Sequence, residues 1–406
     1  MTPIVKTKNN RLPFYLALLT FIVLGFSGGI LNIAWTYMQD MFAVDVSAIG
    51  VLLLSATSGA LITTVISGSL LTRFPFARLV IGALLILALG MFAIAMVQSW
   101  LALLIVIFIA YSGRGFLDAG MNSFFSENYD TSAMNWLHAS WGIGLTIAPT
   151  IMTFILIDLE MTWQTGYIVV GSVAIFMSVL IVLTAQHWTM ESVNQESTAT
   201  PETEMQDATA LETIQQPIVL ASILVFFLYG GVEIGTGQLA NTLFVEGRQL
   251  SQETAGLWLS LYWGSFTIGR IFLGWIALRL SDITLLRSGM ILLVLGALLL
   301  SWNLIPIMGL IGLMGIGLGL SGIFPTLISL TPERVGRRFS KQVIGFQIGA
   351  AGLGASILPG LIGLLSKNFG LEWISIGILI NTLLLIAVYE STQRKTEKLK
   401  SDTPII

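Results

Sequence analysis

The stretch Tyr111 to Asn122, YSGRGFLDAGMN, sets an arginine and an aspartate into an otherwise apolar run. It follows LALLIVIFIA and precedes Phe124 and Phe125, so it reads as the middle of a membrane helix. A charge near the bilayer centre costs roughly 2.5–3.5 kcal/mol on insertion scales, so such residues face a bundle interior and have partners. Arg114 and Asp118 are four apart; on a helix they share a face, roughly 6 Å apart along the axis. Either they neutralise each other as structure, or they belong to a site.

The other polar residues within apolar segments are few. They include Asn32, Trp35 and Gln39, then Asn135, His138 and Trp141, then Glu233, Gln238 and Asn241, then Tyr262, Trp263 and Arg270, and finally Gln347. At about 1.5 Å per residue, Arg114, Asp118, Glu233 and Arg270 all fall near the middle of the membrane. Their charges sum to zero, which permits a purely structural network. Asp118 and Glu233 are the candidates for proton coupling. Desolvation and a neighbouring arginine act on a carboxylate in opposite directions, so a movement that separates the two changes its proton affinity. Asn32, Trp35, Asn122, Trp141 and Gln238 suit a sugar, whose ring stacks on indole and whose hydroxyls need paired donors and acceptors; Gln347 is a further amide candidate. Arg114 and Arg270 suit carboxylate partners or an anionic substrate. The structural alternative is that these groups only pack and cap one another. His138 reads first as an interface histidine and second as a proton relay. Trp100, Trp188 and Trp302 stand at span ends and read as interfacial anchors. Pro149, Pro325 and Pro359 allow bending.

These residues need a frame, and composition supplies it. Of 406 residues, 55% are hydrophobic and 10% are charged; a soluble chain carries about 25% charged residues. The class is a polytopic all-α membrane protein. The absence of cysteine excludes disulfides and thiolate metal sites. Two histidines argue against a multi-histidine metal centre, and a net charge of −3 argues against a nucleic-acid partner. No GxxxxGK[ST] loop is present. The chain is therefore not read as an enzyme; no cofactor is expected, and its energy comes from an ion gradient or the substrate's own gradient. Its expected partners are a small-molecule substrate and the lipid bilayer, with the chain as a monomer.

Apolar segments of spanning length recur twelve times, at 13–38, 47–71, 77–97, 100–126, 134–157, 165–186, 217–243, 252–279, 284–302, 304–330, 341–365 and 371–390. Between the sixth and seventh, residues 187–216 are rich in Ser, Thr, Glu and Gln and lack Lys and Arg, which reads as a mobile linker. The expected domains are a bundle at 1–186, the linker at 187–216 and a bundle at 217–406 that ends in a basic tail. With the N-terminus inside, fifteen of the 19 Lys and Arg fall on the cytoplasmic side, only Arg248 and Lys367 fall outside, and Arg114 and Arg270 lie within helices. That bias predicts both termini cytoplasmic. Gly68, Arg73 and Gly90 recur 206 positions later as Gly274, Arg279 and Gly296, and Gly113 and Gly115 recur as Gly317 and Gly319. Two pseudo-symmetric six-helix halves point to alternating access, with a site at the midplane between them.

Four stretches carry a family resemblance over the whole chain: GRGFLDAGMNSF, FFLYGGVEIGTG, YWGSFTIGRIFLGWIALRL and GIGLGLSGIFPTLISL. In these the chain resembles the major facilitator superfamily, and within it the fucose permease and glucose/mannose–proton symporter group. The superfamily's basic loop after the second helix is present only as GSLLTRFPFAR, with Thr72 where an aspartate is usual. The resemblance implies a proton-coupled sugar permease of the bacterial inner membrane. In it Asp118 matches the helix-four carboxylate, Asn122 the asparagine after it, and Glu233 the helix-seven glutamate. Fucose permease has an aspartate in helix one, where Asn32 stands here, so either Asp118 works alone or Glu233 is the second site. Other readings are an exporter of amphiphilic or lipid-like compounds, an organic-anion or sugar-phosphate transporter clamping its substrate with Arg114 and Arg270, and a non-transporting sensor.

Overall fold

The computed structural model describes residues 11–129, 131–188, 210–276 and 280–402, and every regular element among them is helical. The chain opens with α1 (Arg11–Gly29) and α2 (Leu31–Phe42), one span divided at Ile30, and a single 3₁₀ turn at Val46–Ala48 leads on. There follow α3 (Ile49–Leu71), α4 (Phe76–Met96), α5 (Trp100–Asn128), α6 (Thr131–Ile157) and α7 (Trp163–Leu183). Next come α8 (Ala210–Ile214), α9 (Pro217–Thr242) with a π turn at Leu243–Gly247, α10 (Gln252–Ile276) and α11 (Asp282–Trp302). The rest are α12 (Pro306–Leu320), α13 (Ile323–Ser329), α14 (Thr331–Val335), α15 (Arg337–Phe369) and α16 (Trp373–Asp402). Boundaries follow local chemistry. Ser99 caps α5 by accepting from the Ala102 amide at 3.2 Å, and Ser281 caps α11 from the Thr284 amide at 3.3 Å. Pro217 and Pro306 open α9 and α12, where a missing N–H costs nothing.

Among the described residues, eleven helical stretches are long and apolar enough to cross a membrane. The segment expected as the eighth span is helical over Gln252–Ile276 but is not among the eleven. Its described part holds Gln252, Glu253, Ser260, Ser265, Thr267 and Arg270, which lower its apolarity, and 277–279 lie outside the described residues. The expected linker is helical at its end: α8 packs on α15, with Thr213 donating to Gln342 at 2.6 Å and Glu212 lying 3.6 Å from Arg338. Residues 189–209, the N-terminal lysines and Arg279 lie outside the described residues. One anchor expectation needs correction. Trp188 is 2% exposed; its indole donates to Thr184 at 3.1 Å and lies on Phe124 at 5.3 Å. The helix it follows ends in a 3₁₀ turn, Ala185–His187, that folds the ring inward onto Phe76 and Phe124. Trp302, by contrast, is 66% exposed.

Within the bundle α1 packs on α6, α3 on α5, α4 on α7, α9 on α15, and α11 on α12. Backbones touch where glycine allows it. A Cβ on Gly25 would stand 2.0 Å from the Trp141 carbonyl, and one on Gly354 would stand 1.7 Å from the Phe227 carbonyl. With lipid as the solvent, close van der Waals packing replaces the hydrophobic effect as the force between helices.

Further contacts join elements before residue 187 to elements after residue 216: α6 with α10, α3 and the Val46–Ala48 turn with α15, and α2 with α9. They gather toward one end of the bundle. Thr150 bonds Ser260 at 2.7 Å, Thr57 bonds Ser356 at 2.8 Å, and Lys367 pairs with Asp45 at 2.7 Å. At that end a Cβ on Gly50 would lie 2.7 Å from the Gly360 Cα. Toward the opposite end, where α11 begins at Asp282, the helices part around a cavity of about 660 Å³.

Candidate functional site

The α5 face carries Arg114, Asp118 and Asn122, as four-residue spacing requires. Asn122 Nδ2 donates to the Asp118 side chain at 3.2 Å and to its backbone carbonyl at 2.9 Å. Among the described residues no ion pair within 4.0 Å joins Arg114 to Asp118. The Arg114 guanidinium instead lies 5.1 Å from the centre of the Tyr111 ring, with one nitrogen 3.3 Å from where a Cβ on Gly28 would stand. Gly28 thus gives the arginine a seat beside the break between α1 and α2. Asp118 is exposed and lies within electrostatic reach of Arg114 and of His138 on α6.

The cavity wall facing α6 comes from α10 and α13. Its lining includes His138, Gly142, Phe266, Arg270 and Phe324. Arg270 lies 4.2 Å from the Phe266 ring and 5.9 Å from the Trp141 ring, so Trp141 and Arg270 meet across the α6–α10 contact. Arg270 Nε is buried without a hydrogen-bond partner. Glu233 is buried on α9 within electrostatic reach of Arg270, and its backbone carbonyl accepts from Tyr262 at 2.8 Å.

A second polar group lies deeper, toward the closed end. Thr36 of α2 meets Asn241 of α9 at 3.0 Å, and Asp40 lies within electrostatic reach of Glu246, so the two helices run side by side in the same direction. One turn back from Thr36 is Asn32, and one turn back from Asn241 is Gln238; helical spacing brings both to this seam. Asn32 is 1% exposed and Gln238 is 5% exposed. Both polar atoms of the Asn32 amide, Gln238 Oε1 and Trp35 Nε1 are buried and unpaired. Buried polar groups are ordinarily hydrogen-bonded, and each left unpaired costs about 1–3 kcal/mol.

The sequence-derived candidates therefore fall into two groups. Arg270 lines the cavity, Trp141 and Glu233 adjoin Arg270, and Asp118, with Arg114 and Asn122 on its helix face, lies within reach of the cavity residue His138, while Asn32, Trp35 and Gln238 form the deeper band. Gln347 stands apart. It donates to Ser222 and accepts from Thr331 at 3.1 Å, tying α15 to α9 and α14. Four residues not singled out as candidates share the unpaired character of the band: Gln39, Thr236, Thr242 and Trp263. Trp263 lies against Gly237, whose Cβ would stand 2.5 Å from the ring. Gln39 stands seven after Asn32, and Thr242 four after Gln238, so helical periodicity held a signal for both.

The model of the Major Facilitator Superfamily matches residues 17–348 and 223–404. Over 393 residues, 94% of each chain, the protein is 24% identical to the glucose/mannose transporter GlcP of Bacillus subtilis (strain 168). It is 26% identical over 197 residues to the major facilitator superfamily domain-containing protein 4A of Danio rerio, covering 46% of this chain and 37% of that one. In fold it is similar to a bacterial homologue of the human lysosomal transporter Spinster in an inward-facing, unoccupied conformation, with a TM-score of 0.77, 14% identity, and 97% and 98% of the two chains covered. The nucleoside transporter NupG gives a TM-score of 0.75 at 14% identity over 95% and 98% of the two chains. With the helical bundle, the apolar spans and the family match in agreement, the chain is a multi-pass membrane transporter that belongs to the Major Facilitator Superfamily.

Proposed function

We propose that the protein is a proton-coupled secondary transporter of a hexose-like sugar or a similar small polar solute, acting by alternating access in a bacterial inner membrane. The observation that carries this reading is the band of buried polar atoms without partners at the α2–α9 seam: both atoms of the Asn32 amide, Gln238 Oε1, and the indole nitrogens of Trp35 and Trp263. Neutral amides that both donate and accept match sugar hydroxyls, and an indole face matches the ring. The similarity to a glucose/mannose transporter over 94% of the chain supports the same substrate class.

In this reading twelve spans form two pseudo-symmetric bundles, 1–186 and 217–406, joined by the linker 187–216, with both termini cytoplasmic. The cavity then opens to the cytoplasm, and the Asp45–Lys367 end is external. Asp118 takes up the proton, with Glu233 as the second carboxylate. Asn122 holds the Asp118 carboxylate, and Arg114 and His138 bias its charge. Arg270 does the same for Glu233. No cofactor is required, because the proton gradient supplies the work. The protein functions as a monomer.

Arg270 favours a second reading. Its Nε has no hydrogen-bond partner and its guanidinium has no carboxylate within 4.0 Å among the described residues. It would suit an organic anion or sugar phosphate, with Arg114 as the opposing clamp. Binding of glucose and of glucose 6-phosphate to purified protein separates the two. The sugar reading expects glucose to raise the melting temperature in wild type and in Arg270→Gln. Stabilisation by the phosphate alone, lost in Arg270→Gln, would replace it.

A further inference from the structure

One layer above the unpaired amides, three side chains of the same seam, Thr36, Asn241 and Gln252, bond one another. Asn241 is 0% exposed. Its Nδ2 donates to Thr36 Oγ1 at 3.0 Å and toward Gln252 Oε1 at 3.4 Å, and its Oδ1 accepts from Gln252 Nε2 at 2.9 Å. Gln252 opens α10. A single buried amide therefore joins α2, α9 and α10. One turn inward, on the same two faces, Asn32 and Gln238 have unpaired atoms. A buried polar network in which every member is satisfied holds one fixed separation. An amide left unpaired beside it is free to bond a ligand.

We infer that Thr36, Asn241 and Gln252 are positioning residues: a clasp that sets the distance between α2 and α9, and so the width of the binding band at Asn32 and Gln238. The inference takes from the proposed function only that this band binds substrate. The clasp touches no substrate itself. It also spans helices from before and after the linker, so it breaks when the closed end opens. Losing it therefore raises the fraction of open protein as well as loosening the band. Thr36→Val keeps the side-chain shape and removes the acceptor. Losing one such bond changes the closed-to-open ratio by about 2- to 12-fold, the equivalent of about 0.5–1.5 kcal/mol.

The chain has no cysteine, so a single introduced thiol is a clean reporter. Val46 is 7% exposed at the closed end and suits the purpose. In unliganded Val46→Cys protein, the rate of maleimide labelling measures opening. Thr36→Val is expected to label about 2- to 12-fold faster, and Thr36→Ser, which keeps the hydroxyl, at the parent rate. Gln252→Met removes both of its bonds to Asn241 and is expected to label faster than the parent; it carries the test if Thr36→Val does not fold. In transport, Thr36→Val is expected to raise the KM for glucose while Thr36→Ser restores it. Labelling at the parent rate in both Thr36→Val and Gln252→Met overturns the clasp. Faster labelling in a protein that moves no sugar leaves the clasp standing and removes the sugar reading instead.

Discussion

Neutralising Lys367 tests the conformational reading at its most exposed point. Lys367 Nζ lies 2.7 Å from Asp45 Oδ2, and this ion pair joins α15 to the turn between α2 and α3. Both side chains are about half exposed, at 49% and 54%. An exposed pair of this kind contributes about 0.2–1 kcal/mol, or roughly a 1.4- to 5-fold change in the closed-to-open ratio. Beneath it the backbones of Gly50 and Gly360 are in contact, as are those of Ser47 and Gly363, and these contacts do not depend on charge. Lys367→Gln should therefore lower the closed fraction without abolishing it. Spin labels on Met41→Cys and Phe369→Cys, two exposed positions on the two sides of the seam, report the distance by electron–electron resonance. The expected result is a longer-distance population that grows by up to about 5-fold in Lys367→Gln at low salt. Parent protein in about 1 M salt should approach the variant, because the screening length falls to about 3 Å. The exchanged pair Asp45→Lys with Lys367→Asp should restore the parent distribution. Identical distributions in parent and Lys367→Gln at low salt would refute the reasoning, as would a shift of tenfold or more, which an exposed pair does not supply.

Two stability predictions rest on packing. Gly354→Val places a Cβ 1.7 Å from the Phe227 carbonyl, so α9 and α15 must separate; the melting temperature in detergent should fall by several degrees, and an unchanged value would contradict the contact. Trp188→Ala removes a buried ring from Phe124 and Phe76, a loss of about 3–5 kcal/mol for a core tryptophan. A melting temperature unchanged by Trp188→Ala would return Trp188 to the membrane interface.

Much of the fold was legible because the bilayer imposes a simple rule: a spanning helix needs about 20 mostly apolar residues. The apolar segment at 100–126 coincides with α5, Trp100–Asn128, to within two residues. The rule fails where a helix turns polar to serve an interface. The α10 stretch carries Ser260 and Thr267 to bond Thr150 and Thr146 of α6, and its apolarity drops accordingly. Site residues were legible as polar intruders, which is why Asn32, Asp118 and Glu233 stood out. Which of them share a place was not legible, because depth along a helix leaves rotation and partner undetermined. Gln347 shows this: it is mid-helix and buried, yet its amide is spent on Ser222 and Thr331. Arg114 and Asp118 show it again. Four-residue spacing puts them on one face, but Gly28 offers the guanidinium another seat. Thr236 and Thr242 are less legible, because a threonine in an apolar helix usually bonds its own backbone, as Thr20 does to Leu16 at 2.8 Å.

Proton-coupled sugar transport through Asp118 is read out by glucose flux in proteoliposomes under an imposed pH gradient. Wild-type protein is expected to accumulate glucose when a gradient is imposed and only to equilibrate it without one. Asp118→Asn is expected still to exchange glucose across the membrane but no longer to accumulate it. Glucose accumulation by Asp118→Asn equal to wild type, or wild-type flux indifferent to the gradient, would contradict that coupling.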